Sequence, residues 1–125
     1  MFEEYVKNHY QLKGFLNSFT NQIKCVAFNG KGNPLSIYLL NSSNKFDLQS
    51  FQAISIYHDD FRMSITGYRS NIPILTKNIL LTNQKSQLYQ IDFQQIDKIT
   101  FTPLQLNFSS LKPQTFALIS LNFVL

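Results

Sequence analysis

Apolar residues follow a helical spacing at the start of the chain and a strand spacing after it. Between Phe2 and Phe19 they recur every three or four positions, and Glu3 and Glu4 lie in the first turn, where acidic side chains favour a helix N-terminus. The pattern predicts an N-terminal helix over residues 1–20.

From residue 23 onward the chain consists of short apolar or alternating runs separated by Asn, Gly, Pro and Ser. Such runs at intervals of roughly 8 to 12 residues are typical of a small all-β barrel or sandwich. Residues 92–99 also fit a helical spacing, so a second helix stays open there. The predicted strands are 23–28, 35–40, 51–57, 63–68, 72–75, 79–81, 89–93, 96–101, 104–108 and 119–125.

Two stretches of the chain share an order of residue types. The first stretch contains Pro34, then an apolar run that ends in Asn, and then Phe51. The second stretch contains Pro73, then a similar apolar run, and then Phe93. Fixed-period similarity is the sequence sign of a duplicated unit. We predict one domain over residues 1–125, with possible repeat units at 23–60 and 62–103 and C-terminal strands at 104–125.

The composition indicates a folded chain with few charges. Hydrophobic residues make up 44% of the 125 residues, charged residues 14%, and the formal net charge is +4. A weakly charged polar surface favours association, so we predict a homo-oligomer. No apolar stretch approaches the ~18 residues of a membrane span, and no signal-peptide pattern is present, which predicts a cytoplasmic protein with no membrane partner.

Few residues suggest chemistry. Residues 57–62, YHDDFR, permit either a metal or acid–base site or a polar turn, and residues 30–33, GKGN, permit either a phosphate loop or a hairpin turn. The turn is favoured in both places, because further ligands and a Gly-Lys-Ser/Thr ending are missing. Cys25 is the single cysteine and lies in an apolar run, which predicts an inert buried thiol. We predict no catalytic residues, no metal and no cofactor.

Three blocks of the chain share their order with the motifs of a known family. Residues 34–41 read PLSIYLLN, residues 50–52 read SFQ, and residues 79–88 read ILLTNQKSQL. In this order the blocks resemble the strand motifs of the bacterial Sm-like RNA chaperone family, the Hfq-like proteins. The chain departs from the family by about twenty extra residues between the second and third blocks. It also lacks the family's Tyr-Lys-His signature, because YQIDF stands at 89–93.

The resemblance implies an Sm/SH3-like barrel behind the helix that forms a ring and binds single-stranded RNA. By position in the motifs, Tyr38 would stack on a base and Gln87 would contact one. Lys31, Lys45 and Lys85 would meet phosphates, on composition rather than motif.

A second class of function fits the same residues. A small β-rich domain without catalytic chemistry also suits a protein-interaction module, such as an inhibitor, an immunity protein or an assembly adaptor. Such a module would bind its partner through an exposed sheet edge or an apolar patch. We therefore predict a non-enzymatic binding module, with single-stranded RNA as the first expected partner and protein as the alternative.

Overall fold

The computed structural model describes residues 22–29, 32–39, 44–104 and 114–125, and within these ranges it contains eight β-strands. Their bounds are β1 Gln22–Phe28, β2 Leu35–Tyr38, β3 Phe46–Ser55, β4 Phe61–Arg69, β5 Ile72–Leu81, β6 Gln87–Ile96, β7 Lys98–Pro103 and β8 Phe116–Val124.

The strands form two antiparallel sheets of four strands each. One sheet has the order β1-β8-β3-β6 and the other has the order β2-β7-β4-β5. Apart from the β4–β5 hairpin, each connection along the chain passes from one sheet to the other. Eight strands divided between two sheets in this order form a jelly-roll sandwich.

The predicted fold class is confirmed as mainly β, and the sandwich is the alternative that the structure contains. The closed barrel is wrong, because each sheet keeps two edge strands: β1 and β6 in one, β2 and β5 in the other. The helix alternative over 92–99 is also wrong, since these residues lie in β6 and β7, apart from Asp97 between the two strands. The predicted helix over 1–20 lies outside the described residues, and the described ranges contain no helix.

Alternation along the strands builds the core between the sheets. In β4, Phe61, Met63 and Ile65 point inward, while the residues between them are half-buried or exposed. Phenylalanine rings join the two sheets: Phe51 of β3 and Phe101 of β7 meet edge to face with ring centroids 5.3 Å apart. Such a pair stabilises the fold by about 0.5–1.5 kcal/mol beyond its buried area.

Gly67 allows the two sheets to approach each other closely at β4. A Cβ atom at this position would lie 2.8 Å from Cδ2 of Phe93 and 3.1 Å from Cγ2 of Ile96, both on β6 in the opposite sheet. Any side chain here would therefore push the sheets apart or displace a buried ring.

A tight hairpin positions β5 beside β4. Ser70 and Asn71 form its two-residue turn, with φ of 53° and 65°. Two positive φ values in succession define the type I′ turn, whose twist matches that of paired strands. The backbone N–H of Ser70 donates to Oδ2 of Asp97 at 2.8 Å, which ties the turn to the crossing between β6 and β7.

The segment between β1 and β2 is not a hairpin turn. β1 pairs with β8 and β2 pairs with β7, so the two strands lie in different sheets and the predicted hairpin is wrong. Asn29, at the end of β1, is instead a buried link to β8: its amide nitrogen donates to the Gln114 carbonyl at 2.7 Å, and its Oδ1 accepts the Phe116 N–H at 2.7 Å.

Candidate functional site

Two of the predicted RNA-contacting residues lie beside the crossing between β6 and β7. Tyr38 ends β2 and is paired with Lys98, the first residue of β7. Lys45 precedes β3, and its Nζ is 3.8 Å from Oδ2 of Asp97, a buried carboxylate in the single-residue crossing.

Two others lie at the opposite end of β6. Gln87 is its first residue, where its Oε1 lies 3.0 Å from the Tyr89 hydroxyl oxygen, and Lys85 is exposed in the preceding loop. Because β6 has ten residues, its ends are about 30 Å apart. The structure therefore does not bring these two residues together with Tyr38 and Lys45. Lys31 lies outside the described residues, and RNA binding stays a prediction.

The cluster His58-Asp59-Asp60 lies in the connection between β3 and β4. Oδ1 of Asp59 accepts a hydrogen bond from Oγ1 of Thr82 at 2.8 Å and from the Asn83 N–H at 3.4 Å. These bonds favour the charged carboxylate, with Thr82 contributing most, and lower the pKa of Asp59 below its usual 3.8. The carboxylate thus ties this connection to the loop after β5, as a polar turn does.

Within the described ranges, no three His, Cys, Asp or Glu side chains are grouped to hold a metal ion. Cys25 lies on β1, and its side chain is outside what the structure describes. Residues 30–33 are only partly described, since Gly30 and Lys31 are not.

The edge of β6 is occupied by groups that hinder strand pairing. Asp92 and Gln95 have φ of 54° where the register with β3 shifts, so the strand is bulged there. Two cations from the other sheet donate to its carbonyl oxygens: Nζ of Lys77 to Gln90 at 3.1 Å and Nε of Arg69 to Gln95 at 2.7 Å. Bulges and cations are the usual protection of a sheet edge.

The edge of β5 has a different character. It is ten residues long, most of its side chains are exposed, and it carries one charge, Lys77. Ile72, Leu75 and Leu80 are 63%, 46% and 50% exposed, so three large apolar side chains of this one strand lie at the surface. Its proline, Pro73, lies next to the turn and leaves the eight residues 74–81 uninterrupted.

The backbone of β4 shows which groups of β5 face outward. The carbonyl of Arg62 accepts the Leu104 N–H at 2.9 Å and so points toward β7. Since pairs alternate along an antiparallel ladder, the β5 residue opposite Arg62, Leu80, directs its N–H and C=O away from β4. The same holds at every second residue, so Asn78 and Thr76 also face outward.

We define the β5 edge as the outward N–H and C=O groups of Thr76, Asn78 and Leu80. Within the part of the chain that the structure describes, one of these six groups has a side-chain partner: the carbonyl of Leu80 accepts the Tyr89 hydroxyl at 3.0 Å. Burial raises the pKa of Tyr89, so this hydroxyl stays protonated as a donor. The remaining groups form a template of alternating donors and acceptors for an added strand.

The sequence pattern predicted two short strands in place of β5, so the β5 edge was not identified from it. It predicted strands at 72–75 and 79–81, with Thr76, Lys77 and Asn78 between them. The run ILTKNILL at 74–81 indicates one uninterrupted strand, because it combines high β-propensity with one charge and contains neither Gly nor Pro.

No family model and no curated protein matches the chain. Among solved structures, the fold is similar to that of a protein of Bacillus endospore appendages, which form disulfide-linked pili. The TM-score is 0.52 at 12% sequence identity, and the match covers 84% of this chain and 88% of that one. At this identity the likeness concerns the fold alone.

A second similarity is to the insecticidal delta-endotoxin of Bacillus thuringiensis. It covers 82% of this chain and 19% of that chain at 11% identity, and its TM-score of 0.36 carries no argument. Among the described residues, no helix has the length and apolarity needed to cross a bilayer. The cytoplasmic location and the homo-oligomeric state stay predictions.

Proposed function

We propose that this chain is a non-catalytic protein-interaction module that accepts a β-strand from a protein partner at the β5 edge. The observation that carries the proposal is the contrast between the two neighbouring edges. The β6 edge is bulged and covered by Lys77 and Arg69, whereas the β5 edge is regular at its centre and exposed. Main-chain hydrogen bonds supply the affinity when a strand is added in this way.

The fold comparison agrees with a role in assembly. A sandwich of similar fold belongs to a protein of Bacillus endospore appendages, which form disulfide-linked pili. The composition of this chain agrees with such a role, because 14% charged residues leave a surface of low charge repulsion.

Binding of single-stranded RNA has less support. It needs an aromatic platform and basic side chains along one path. Tyr38 and Lys45 lie at one end of the sandwich, while Gln87 and Lys85 lie at the other, so these four residues do not form one path.

A synthetic peptide of residues 72–82 with a fluorescent label tests strand addition. We expect its anisotropy to rise saturably on titration with the full chain, and to do so equally at low and high salt. Binding should be lost in Asn78→Pro, because proline removes an N–H that faces the partner and leaves the β4 ladder intact. Asn78→Ala keeps the N–H and is the matched control, which should bind like the wild type.

A second probe covers the case in which Asn78→Pro disturbs the fold. The same peptide, N-methylated along both edges so that it has no backbone donors, should not bind the wild-type chain. Absence of binding by the unmodified peptide, or equal binding by the methylated peptide, would show that the β5 edge does not accept a strand.

A further inference from the structure

We infer that the partner strand is β5 of a second copy, paired antiparallel about a two-fold axis at Asn78. The inference rests on the proposed function and names the occupant of the β5 edge. The resulting dimer would join two four-stranded sheets into one continuous sheet of eight strands. A two-fold contact of this kind uses the same patch on both copies and closes without further growth.

The outward groups of β5 are self-complementary in this register. With Asn78 opposite Asn78 of the second copy, Thr76 lies opposite Leu80 and Leu80 lies opposite Thr76. All three outward residues then face outward residues, and each such pair exchanges two hydrogen bonds, which gives about six in total. The carbonyl of Leu80 has a second lone pair, so it can accept a new N–H while retaining the Tyr89 hydroxyl.

Neighbouring registers lose part of this ladder. A shift of one residue places the outward groups of one copy opposite groups of the other that are engaged with β4. A register centred on Ile79 brings Thr76 opposite Thr82, whose carbonyl accepts the backbone N–H of Ser55 at 3.0 Å, so the backbone of β3 already lies beside Thr82 on this side. The register centred on Asn78 is therefore the one that uses Thr76, Asn78 and Leu80 fully.

The charge of Lys77 also favours the register centred on Asn78. A two-fold axis at Lys77 would place the strand's single cation opposite its own copy, and like charges directly opposite each other destabilise a strand pair. An axis at Asn78 places Lys77 opposite Ile79 instead. Nζ of Lys77 is also directed toward the Gln90 carbonyl of its own chain, 3.1 Å away, so the ammonium group retains a partner.

The apolar residues of the strand gain cover in this dimer. Leu80, which is 50% exposed, would pack beside Thr76 of the second copy on the outer face of the joined sheet. Ile79, which packs partly against the core, would lie beside the aliphatic stem of Lys77 from the second copy.

A cysteine scan of the full-length chain tests the register. Single cysteines at positions 76 to 80, in a Cys25→Ser background that removes the native thiol, are oxidised and analysed on non-reducing gels. We expect the cross-linked dimer to peak with Asn78→Cys, because paired Cα atoms about 5.5 Å apart allow a disulfide. Lys77→Cys and Ile79→Cys should each give little dimer alone and cross-link when mixed with each other.

The outcomes separate this inference from the proposed function. A peak with Lys77→Cys or Ile79→Cys would overturn the register, and no cross-linking at any position would overturn the self-pairing. If the labelled peptide still binds, strand addition at the β5 edge stands in either case. A shifted peak keeps the second copy as the partner in another register, and the absence of any cross-link leaves another protein as the partner. If neither peptide binding nor cross-linking occurs, both proposals fail.

Discussion

At the scale of single residues, Asp97 shows how a buried carboxylate fixes a crossing between the sheets. It is the one residue between β6 and β7, and its backbone N–H donates to the Tyr68 carbonyl at 2.9 Å. Its side chain accepts the Ser70 N–H at 2.8 Å and lies 3.8 Å from Nζ of Lys45. This side chain therefore links the hairpin that carries β5 to the crossing between the sheets.

We expect Asp97→Ala to destabilise the fold by about 1–3 kcal/mol, because it removes the acceptor for the Ser70 N–H and leaves Lys45 without this carboxylate. Urea denaturation measures the loss. Asp97→Asn keeps an acceptor oxygen, so its loss in free energy of unfolding should be less than half of the loss in Asp97→Ala. Asp92→Asn, an exposed change at a position of positive φ that asparagine tolerates, is the control. Equal loss in Asp97→Asn and Asp97→Ala would contradict the role of the hydrogen bond.

The stabilising effect of the hydrogen bonds to Asp59 depends on pH. Hydrogen bonds from Thr82 and Asn83 lower the pKa of Asp59, so their stabilising effect is complete above the usual carboxyl pKa and is lost as pH falls through the lowered value. We expect Thr82→Val to raise the pKa of Asp59 toward 3.8, as measured by NMR titration of its carboxyl carbon. Thr100→Val, whose hydroxyl pairs with Ser36 at 2.9 Å, should leave the pKa unchanged. An unchanged pKa in Thr82→Val would exclude this hydroxyl as its cause.

At the scale of elements, strands with a clear inward face could be predicted from the sequence, while the edge strand could not. β4 alternates cleanly, and its prediction at 63–68 falls within the observed Phe61–Arg69. β5 is exposed on both faces at its centre, so Thr76, Lys77 and Asn78 broke the apolar pattern. A bulge hid the start of β3, because Leu48 and Ser50 lie opposite the consecutive residues Phe123 and Asn122 of β8 and the alternation is interrupted there.

The central charge of β5 leads to a prediction about aggregation. Lys77 is the one charged residue in the strand, and a single cation can keep an exposed edge from extended pairing. We expect Lys77→Ile to increase light scattering and thioflavin fluorescence on mild heating, since residues 74–81 then carry no charge. Lys85→Ile, an equal change in charge and hydrophobicity in the following loop, should remain close to the wild type. Similar aggregation of both variants would show that the location of the charge does not matter.

At the scale of the whole molecule, the sheet order follows from contacts that sequence patterns do not reveal. β1 pairs with β8 across most of the chain, from Gln22 opposite Asn122 to Phe28 opposite Ala117. Periodicity reports which face of a strand is buried and contains no information about its neighbour in the sheet. Barrel and sandwich therefore looked alike from the sequence, and the site, which is an edge, could be identified only after the order of the strands was known.

Association and its salt dependence distinguish the two classes of partner for the whole molecule. Binding through the β5 edge uses main-chain hydrogen bonds and apolar contacts, which change little with salt. Binding to RNA neutralises phosphates and releases counterions, so it weakens steeply as salt rises. We expect the purified chain to elute as a dimer, at twice the 14.5 kDa of one chain, with the absorbance of protein alone at both low and high salt. Light scattering with absorbance at 260 and 280 nm, on a sizing column, measures both quantities.

The variants make this measurement specific to the edge. Asn78→Pro should elute as a monomer and Asn78→Ala as a dimer, because the partner strand binds to the backbone at this position and not to its side chain. A particle of several chains that carries nucleic-acid absorbance at low salt and loses it at high salt would instead favour the Sm-like prediction. In that case Tyr38→Ala should reduce the nucleic-acid absorbance while Asn78→Pro leaves it unchanged, since Tyr38 lies on β2, at the opposite edge of the sheet from β5.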